Sequence, residues 1–303
     1  MTNQREPGGN PPRGGELPLG DAGASGTDTS LGARPVLVIA VGGMDPSGGA
    51  GVVRDLLTAR TFGAGVRIVP TAWTEQSPVT GVTSVEPRDP ARLEEAVATA
   101  WRAAVRDGLP VALKVGMLPD ARAAGAIRVA LDGNLDDSGT RRDAFTGPVV
   151  LDPVLGASSG GALFRDPPAA LLPLCARATL TTPNVPELAA LLGLPASDIR
   201  SLDDVARAGR ALLEAGAQAV LVKGGHLAGE AVDTLVTPSG TRLFAASRHP
   251  GPDVRGTGCA LGTAIAVGLG RGLSLEAAIA GAKAWLRGAL ERAVARGGEW
   301  HLD

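Results

Sequence analysis

Two glycines and a cysteine before an apolar helix form the segment best suited to chemistry. The run Arg255-Gly-Thr-Gly-Cys-Ala-Leu-Gly262 leads into Thr263–Leu269. Glycines let successive backbone N–H groups converge and a helix N-terminus adds positive potential, so Gly256, Thr257 and Gly258 predict an anion-binding nest. Such a nest suits phosphoryl transfer. The spacing also fits a plain helix start or a dinucleotide loop, but a dinucleotide loop should follow the first strand of a βαβ unit.

Cys259 is predicted to lie in the first turn of that helix. There the helix dipole lowers a thiol pKa below its usual value of about 8.5, which would make Cys259 a general base. The alternative is a small buried hydrophobic residue. Cys175 has no such setting and is predicted to be a core residue. Two cysteines far apart exclude a disulfide framework and favour a reducing compartment, so we expect a cytoplasmic protein.

A second glycine-rich segment, Gly42–Gly51, follows the first apolar run of the chain. It lacks the lysine of a GxxxxGK[ST] loop, so it does not predict that kind of phosphate site. Its glycines would let a ligand approach the backbone closely. Asp45 is its only carboxylate. Asp45 could accept a hydrogen bond from an amino group of a ligand, or it could simply cap a helix.

Asn184, Glu187 and Lys223 also follow predicted strands. Asn184 and Glu187 are three residues apart, and together they could orient water around Mg²⁺ and phosphates, because Mg²⁺ keeps several waters and few protein ligands. Helix capping is the alternative. Lys223 is one of three lysines in an arginine-rich chain and could meet a nucleotide phosphate; Lys114, also at a strand end, attracts similar notice.

The elements that must position these residues alternate between strands and helices. Continuous apolar runs predict strands buried on both faces at residues 36–41, 66–70, 111–115, 149–152, 178–181 and 219–223. Asp89, Pro90 and an apolar stripe predict a helix over 90–106. Residues 232–237 and 242–246 predict an edge hairpin, and helices are expected at 259–270 and 275–296. This alternation predicts an α/β fold with a mostly parallel sheet covered on both faces.

Ligands of open parallel sheets bind beyond the carboxyl ends of the strands, where the polar and glycine-rich segments lie. We therefore expect one crevice. Residues 1–34 are rich in Gly, Pro, Ser and Asp and predict a disordered tail without a signal-peptide core, which leaves 35–303 as one domain. The net charge of -2 and the lack of a long apolar run predict no nucleic-acid or membrane partner. The three histidines have no zinc-site spacing.

The motifs together resemble hydroxymethylpyrimidine/phosphomethylpyrimidine kinases of the ribokinase-like superfamily. The resemblance covers roughly residues 36–292. The matching segments are Asp45-Pro-Ser-Gly-Gly-Ala-Gly51, Lys114-Val-Gly-Met-Leu118, Leu151-Asp-Pro-Val154, Thr182-Pro-Asn184 with Glu187, Lys223-Gly-Gly-His226 and Gly256-Thr-Gly-Cys259.

The resemblance implies a three-layer α/β/α ribokinase-like fold, ATP with Mg²⁺ and a homodimer. It implies phosphorylation of 4-amino-5-hydroxymethyl-2-methylpyrimidine and then of its monophosphate, for thiamine biosynthesis. The implied roles are a pyrimidine site at Gly43, Asp45, Gln76 and Met117; a nucleotide side at Asn184, Glu187, Lys223 and Thr257, with Mg²⁺ held by Glu187 through water; and an anion hole and base at Gly256, Thr257, Gly258 and Cys259.

Three departures from the family pattern bear on substrate details. Arg255 stands where the family usually has histidine, and its guanidinium could hold a phosphate or lie exposed. The loop after Gln76 is one residue longer than usual, and Ser158 replaces a frequent lysine.

Two alternatives stay open. A pyridoxal or pyridoxine kinase also phosphorylates a hydroxymethyl group on a nitrogen heterocycle, and some members share the cysteine. A catalytically silent ligand sensor is the other. It would be expected to have lost the nest or the base, and both are present here.

Overall fold

The computed structural model describes residues 28, 30–77, 81–133, 143–157, 160–226, 231–296 and 298–302. The strands are β1 Leu37–Met44, β2 Gly65–Ser77, β3 Gly81–Pro87, β4 Val111–Val115, β5 Val149–Leu151, β6 Leu180–Thr181, β7 Val220–Val222, β8 Ala231–Thr237, β9 Gly240–Ala246, β10 Val254–Arg255, β11 Val294–Arg296 and β12 Glu299–His301. The α-helices are α1 Gly51–Thr61, α2 Pro90–Arg106, α3 Ala121–Asp132, α4 Leu172–Arg177, α5 Val185–Leu191, α6 Leu202–Glu214, α7 Thr257–Gly270 and α8 Leu275–Glu291.

Nine strands form one sheet in the order β3-β2-β1-β4-β5-β6-β7-β8-β9. The six strands from β2 to β7 in this order run parallel, while β3, β8 and β9 pair antiparallel at the two edges. The predicted mostly parallel sheet and edge hairpin are confirmed. The sequence did not predict β3, whose neighbour β2 runs seven residues beyond the predicted strand end at residue 70.

Alternate residues of the central strands face two separate cores. In β1, Ile39 and Val41 pack with helices α2 to α6 on one face, whereas Val38 packs with α1, α7 and α8 on the other. Both faces are therefore covered, which explains why the strands read as continuous apolar runs. The three-layer α/β/α architecture is confirmed. Helix α2 has the predicted bounds, and the Asp89 side chain caps it by accepting a hydrogen bond from the Arg92 N–H.

The last predicted helix, 275–296, is too long. Helix α8 ends at Glu291, and the chain then forms the antiparallel pair β11–β12, with Gly298 at a φ of 85° in the turn. Strand β12 also pairs with β10, directly before α7. This short sheet is a long-range arrangement, so local helix propensity gave no sign of it. It brings the chain terminus beside the glycine-rich segments.

The end of the predicted tail packs on the fold. Most of residues 1–34 lie outside the described residues, but the boundary at 34 is wrong because Leu31 is fully buried. Its side chain lies against Gly268 and Gly281, where a Cβ would be 3.4 and 2.6 Å from Leu31 Cδ2. Arg271 donates to the carbonyls of Gly32 and Arg34 and fixes the backbone there.

We expect Leu31→Ala to lower the free energy of unfolding by about 2–5 kcal/mol, the usual cost of truncating a buried leucine. Urea unfolding measures this change. Leu194→Ala is the matched control, since Leu194 is 44% exposed and its truncation should change stability by only about 0.5 kcal/mol. If Leu31→Ala lowers the free energy of unfolding no more than the control does, this segment does not hold α7 and α8 together.

Candidate active site

A cavity of about 760 Å³ opens at the carboxyl ends of the parallel strands. It is lined by every residue for which the sequence predicts a role in binding or catalysis: Gly43, Asp45, Gln76, Met117, Asn184, Glu187, Lys223, Gly256, Thr257, Gly258 and Cys259. The predicted residues therefore share one crevice, as expected. The longer loop at 78–80 and Ser158 lie outside the described residues.

A second cavity of about 940 Å³ adjoins the first. Lys223, Thr257 and Gly258 line both cavities. Leucines of α7 and α8 form an apolar part of the second cavity's wall, which also contains an ion pair between Lys283 and Asp233 at 2.6 Å. The start of α7 thus separates two spaces, and a group bound there would face both.

The nest at the start of α7 depends on glycine. Gly256 is the N-cap, with a φ of 74°, and a Cβ there would be 2.1 Å from the Gly49 carbonyl oxygen. The first backbone bond of the helix runs from Ala260 N–H to Gly256 C=O at 2.9 Å. The N–H groups before Ala260 therefore lack partners within the helix and are available to an anion.

Lys223 lies between two carboxylates beside the nest. Its Nζ is 2.6 Å from Asp152 Oδ1 and 3.6 Å from Glu187 Oε2. Although burial opposes the charged form, Asp152 and Glu187 raise the pKa of Lys223, so it stays protonated. A Cβ on Gly258 would be 3.4 Å from Lys223 Nζ. The ammonium and the nest therefore face the same space.

Asn184 and Glu187 form a reciprocal capping box at the start of α5. Asn184 Oδ1 accepts from the Glu187 N–H and Glu187 Oε2 accepts from the Asn184 N–H, both at 2.8 Å. Capping, the simpler of the two interpretations, is therefore present. The same oxygen of the Glu187 carboxylate, Oε2, contacts both the Asn184 N–H and Lys223 Nζ. Burial raises the pKa of Glu187, and Lys223 opposes that change.

Cys259 lies in the first turn of α7, partly exposed to the first cavity. The predicted fall in its pKa is wrong. Burial raises the thiol pKa above its ordinary value, and the positive charge of Lys114 and a hydrogen bond from the Gly51 backbone only partly oppose this. The sequence places the thiol at a helix N-terminus correctly, but it does not show how far the surrounding elements exclude water.

Arg255 is bound to two carboxylates. Its Nη2 is 2.9 Å from Asp45 Oδ2, and its Nη1 is 2.7 and 3.0 Å from the two Glu299 oxygens. The ring of His301 on β12 lies against Gly49, where a Cβ would be 2.8 Å from His301 Cε1. Arg255 is buried, so the exposed alternative is wrong, while its predicted contact with a phosphate stays a prediction. The C-terminal strand pair therefore secures the Gly42–Gly51 segment through Arg255.

Asp45 organises its own turn. Besides Arg255, it accepts hydrogen bonds from the Ser47 N–H, the Ser47 hydroxyl and the Ala50 N–H at 3.0, 2.9 and 3.1 Å. Asp45 therefore holds the turn before α1, whereas the N-cap of that helix is Ala50 and has no side-chain cap. A ligand amino group would have to share an oxygen that already has a partner. Its predicted contact with a ligand stays a prediction.

The other residues of the predicted pyrimidine site, Gly43, Gln76 and Met117, lie together at the ends of β1, β2 and β4. A Cβ on Gly43 would be 3.0 Å from Met117 Sδ, so this backbone and the thioether form one wall. Gln76 Nε2 is 3.4 Å from Thr74 Oγ1, a long contact that a ligand could replace.

The sequence assigned no role to two charged residues of the first cavity, Asp152 and Asp55, and noted a third, Lys114, only as a lysine at a strand end. Asp152 and Lys114 stand at strand ends within the motifs, which was a usable signal. Asp55 lies in α1 directly after Arg54, and no local pattern in that helix marks it as buried.

Among the described helices, none combines the length and apolarity needed to cross a membrane. The sequence model of the family described as phosphomethylpyrimidine kinase matches residues 45–302. A hydroxymethylpyrimidine/phosphomethylpyrimidine kinase of Streptomyces coelicolor is 36% identical over 271 residues, which is 87% of this chain and 92% of the relative.

Two solved structures are similar to this chain. The phosphomethylpyrimidine kinase of Clostridium difficile 630 has 31% identity and a TM-score of 0.65, covering 85% of this chain and 99% of the other. The pyridoxal kinase of Staphylococcus aureus, in complex with AMP-PCP and pyridoxal, has 25% identity and a TM-score of 0.72, covering 89% and 93%.

Proposed function

The chain belongs to the phosphomethylpyrimidine kinase family, and on that premise we propose how its site works as an ATP-dependent kinase of thiamine biosynthesis. It phosphorylates the alcohol 4-amino-5-hydroxymethyl-2-methylpyrimidine, and then phosphorylates the monophosphate to the diphosphate. The observation that carries the proposal is the nest of Gly256–Gly258 between two adjoining cavities, with Cys259 in the first and Lys223 at the boundary.

Each of the two cavities binds one of the two substrates. ATP occupies the second cavity, where leucines can contact the base and Lys223 meets the phosphates. The pyrimidine occupies the first, against Gly43, Gln76 and Met117. The γ-phosphate then lies at the nest, whose N–H groups stabilise the negative charge of the transition state.

In the first reaction Cys259, as thiolate, takes the proton of the hydroxymethyl group. The alcohol oxygen attacks the γ-phosphorus, and the bond from that phosphorus to the β–γ bridging oxygen breaks. ADP leaves with those electrons. Lys223 and the nest balance the charge on the phosphates, while Asp152 holds the ammonium in position at 2.6 Å.

Mg²⁺ is part of this proposal. The described residues contain no group of three or more His, Cys, Asp or Glu able to hold a metal ion by themselves. That fits Mg²⁺, which keeps several waters and binds substrate phosphates with one or two carboxylates. Two carboxyl groups, of Asp152 and Glu187, also face the single ammonium of Lys223 here. Glu187 would contact the ion through water, and the ion would supply positive charge to the phosphates.

Arg255→Ala tests the role of the C-terminal strand pair. Because Arg255 joins Asp45 to Glu299, its loss should loosen the Gly42–Gly51 segment and raise the KM for both pyrimidine substrates about tenfold, or about 1.4 kcal/mol. The KM for ATP should rise less, although Arg255 and Glu299 also line the second cavity, because the segment that loses its support belongs to the pyrimidine site. Arg255→Lys should recover part of the loss. Steady-state kinetics with each substrate varied measure this. A rise confined to ATP and the monophosphate would instead support a phosphate contact.

A pyridoxal kinase is the main alternative. Because the chain is similar to the S. aureus pyridoxal kinase, this alternative is tested directly. A coupled ADP-release assay compares the pyrimidine alcohol with pyridoxal and pyridoxine under equal conditions. We expect the pyrimidine to be the preferred acceptor. Rapid turnover of pyridoxal with no turnover of the pyrimidine would assign the protein as a pyridoxal kinase instead. A silent sensor would release no ADP with any of them.

We also propose a homodimer in the cytosol. The exposed indole of Trp73 on β2, 59% accessible, supports an association surface at that edge of the sheet. Both cysteines are free, in accord with a reducing compartment. Sedimentation equilibrium would give twice the chain mass, and a single-chain mass would contradict the dimer.

A further inference from the structure

A buried ion pair lies at the floor of the first cavity. Lys114 Nζ on β4 is 3.0 and 3.1 Å from the two oxygens of Asp55 on α1. The side chains are only 1% and 0% exposed. Thr263 on α7 donates to Asp55 Oδ1 at 2.8 Å. Strand β4 and helices α1 and α7 meet under the cavity, where this ion pair and hydrogen bond join them in addition to apolar packing.

The fold does not require such a pair. Taking two ions out of water costs several kcal/mol per ion, and apolar replacements of buried ion pairs are often neutral or stabilising. Apolar residues also occupy this face of the sheet, where Ala112, Val150 and Ala260 are buried. A role in chemistry is the better explanation.

The ammonium lies under the first turn of α7. A Cβ on Gly262 would be 3.5 Å from Lys114 Cε, and a Cβ on Gly116 would be 2.6 Å from Lys114 Nζ. Gly262 is three residues after Cys259, so the two share a face of the helix, and helical side chains lean towards the N-terminus. The lysine therefore lies beside the turn that carries the thiol, and both line the same cavity.

We propose that Lys114 is a positioning residue whose ammonium, held in place by Asp55, stabilises the thiolate of Cys259. This rests on the proposed role of Cys259 as the base. The charged groups that act on the thiol are Lys114 from β4, Asp55 from α1, Asp152 after β5 and Lys223 after β7. The two lysines favour the thiolate and the two carboxylates oppose it, with Lys114 the strongest of the four.

The test compares loss of the charge with its retention, which separates electrostatics from packing. Lys114→Met removes the favourable charge and should move the titration midpoint of Cys259 upward by about one pH unit or more. Lys114→Arg keeps a positive charge at this position and should hold the midpoint closer to that of the wild type. Thr263→Val is the uncharged control and should change it little. A merely structural cluster would give no difference in midpoint that follows the charge at position 114.

The midpoint is measured without substrate, from the rate of iodoacetamide alkylation of the Cys259 peptide against pH, followed by mass spectrometry. Cys175 is an internal folding control, because burial raises its pKa to about 12 and it should react only if the chain unfolds. If Lys114→Met fails this control, Lys114→Met with Asp55→Leu leaves no unpaired charge and should still shift the midpoint upward.

Equal upward shifts for Lys114→Met and Lys114→Arg, or an unchanged midpoint in the folded Lys114→Met variant, would overturn the inference. Failure of this inference and failure of the proposed function give different results. If the midpoints shift as expected but Cys259→Ala still phosphorylates the alcohol at the wild-type rate, the base assignment fails while the electrostatic coupling stands.

Discussion

Cys259→Ala is expected to slow transfer to the pyrimidine alcohol by about 10²–10⁴-fold, the usual contribution of a positioned base. Transfer to the monophosphate should fall much less. An alcohol is a poor nucleophile until its proton is removed, whereas a phosphate monoester has a second pKa of about 6 and is largely dianionic at pH 7. The two reactions at one site therefore differ in their need for a base.

Single-turnover rates with each substrate measure this difference, with Cys175→Ala as the control cysteine variant. Cys175 is buried in the core and lines neither cavity, so both of its rates should match wild type. Equal losses in the two reactions for Cys259→Ala would refute a dedicated base and leave Cys259 as part of the cavity wall.

The raised pKa of Cys259 adds a pH dependence to the same experiment. Below the thiol pKa the thiolate fraction falls tenfold with each pH unit, so the rate with the alcohol should climb through the neutral range. The rate with the monophosphate should level off above about pH 6, where its dianion predominates. In Cys259→Ala the climb should disappear.

Gly258→Ala should impair both reactions, by about 10²–10³-fold if it costs one donor to the transferred phosphate. The new Cβ would be 3.4 Å from Lys223 Nζ and 3.6 Å from Asp152 Oδ2, so the protein itself can accommodate it. The methyl group would instead occupy the space between the ammonium and the nest. The same single-turnover rates measure the loss.

Gly125→Ala is the matched control for Gly258→Ala. Gly125 also lies in a helix, and a Cβ there meets nothing within 4 Å. Its rates should be unchanged. Gly256→Ala is less informative, because its positive φ and its contact with the Gly49 carbonyl would disturb the backbone. Retention of either reaction at the wild-type rate in Gly258→Ala would show that the γ-phosphate lies elsewhere.

Short-range patterns carried most of what the sequence predicted. Apolar runs marked the strands, and because parallel strands end at one edge, the residues after them had to meet. The capping of α2 by Asp89 and of α5 by Asn184 was also a local pattern. These features depend on neighbours within a few residues, which the sequence displays directly.

The contacts that decide the site's electrostatics are not local. Lys114 and Asp55 are 59 residues apart, Arg255 and Asp45 are 210 apart, and Arg255 and Glu299 are 44 apart. No periodicity connects such pairs. The sequence therefore located Cys259 and Arg255 but misjudged the thiol pKa and the partners of the guanidinium. Leu31 is a similar case, since one leucine in a polar tail gives no periodic signal.

The most direct test of the central claim is to identify the products. The full chain is incubated with the pyrimidine alcohol, Mg²⁺ and ATP labelled in its γ-phosphate, and phosphorus NMR and mass spectrometry follow the mixture with time. We predict that the labelled monophosphate forms first and is then converted to the diphosphate, with one ADP released for each transfer. Absence of both phosphorylated pyrimidines, or a monophosphate that is never converted although ATP remains, would contradict the account.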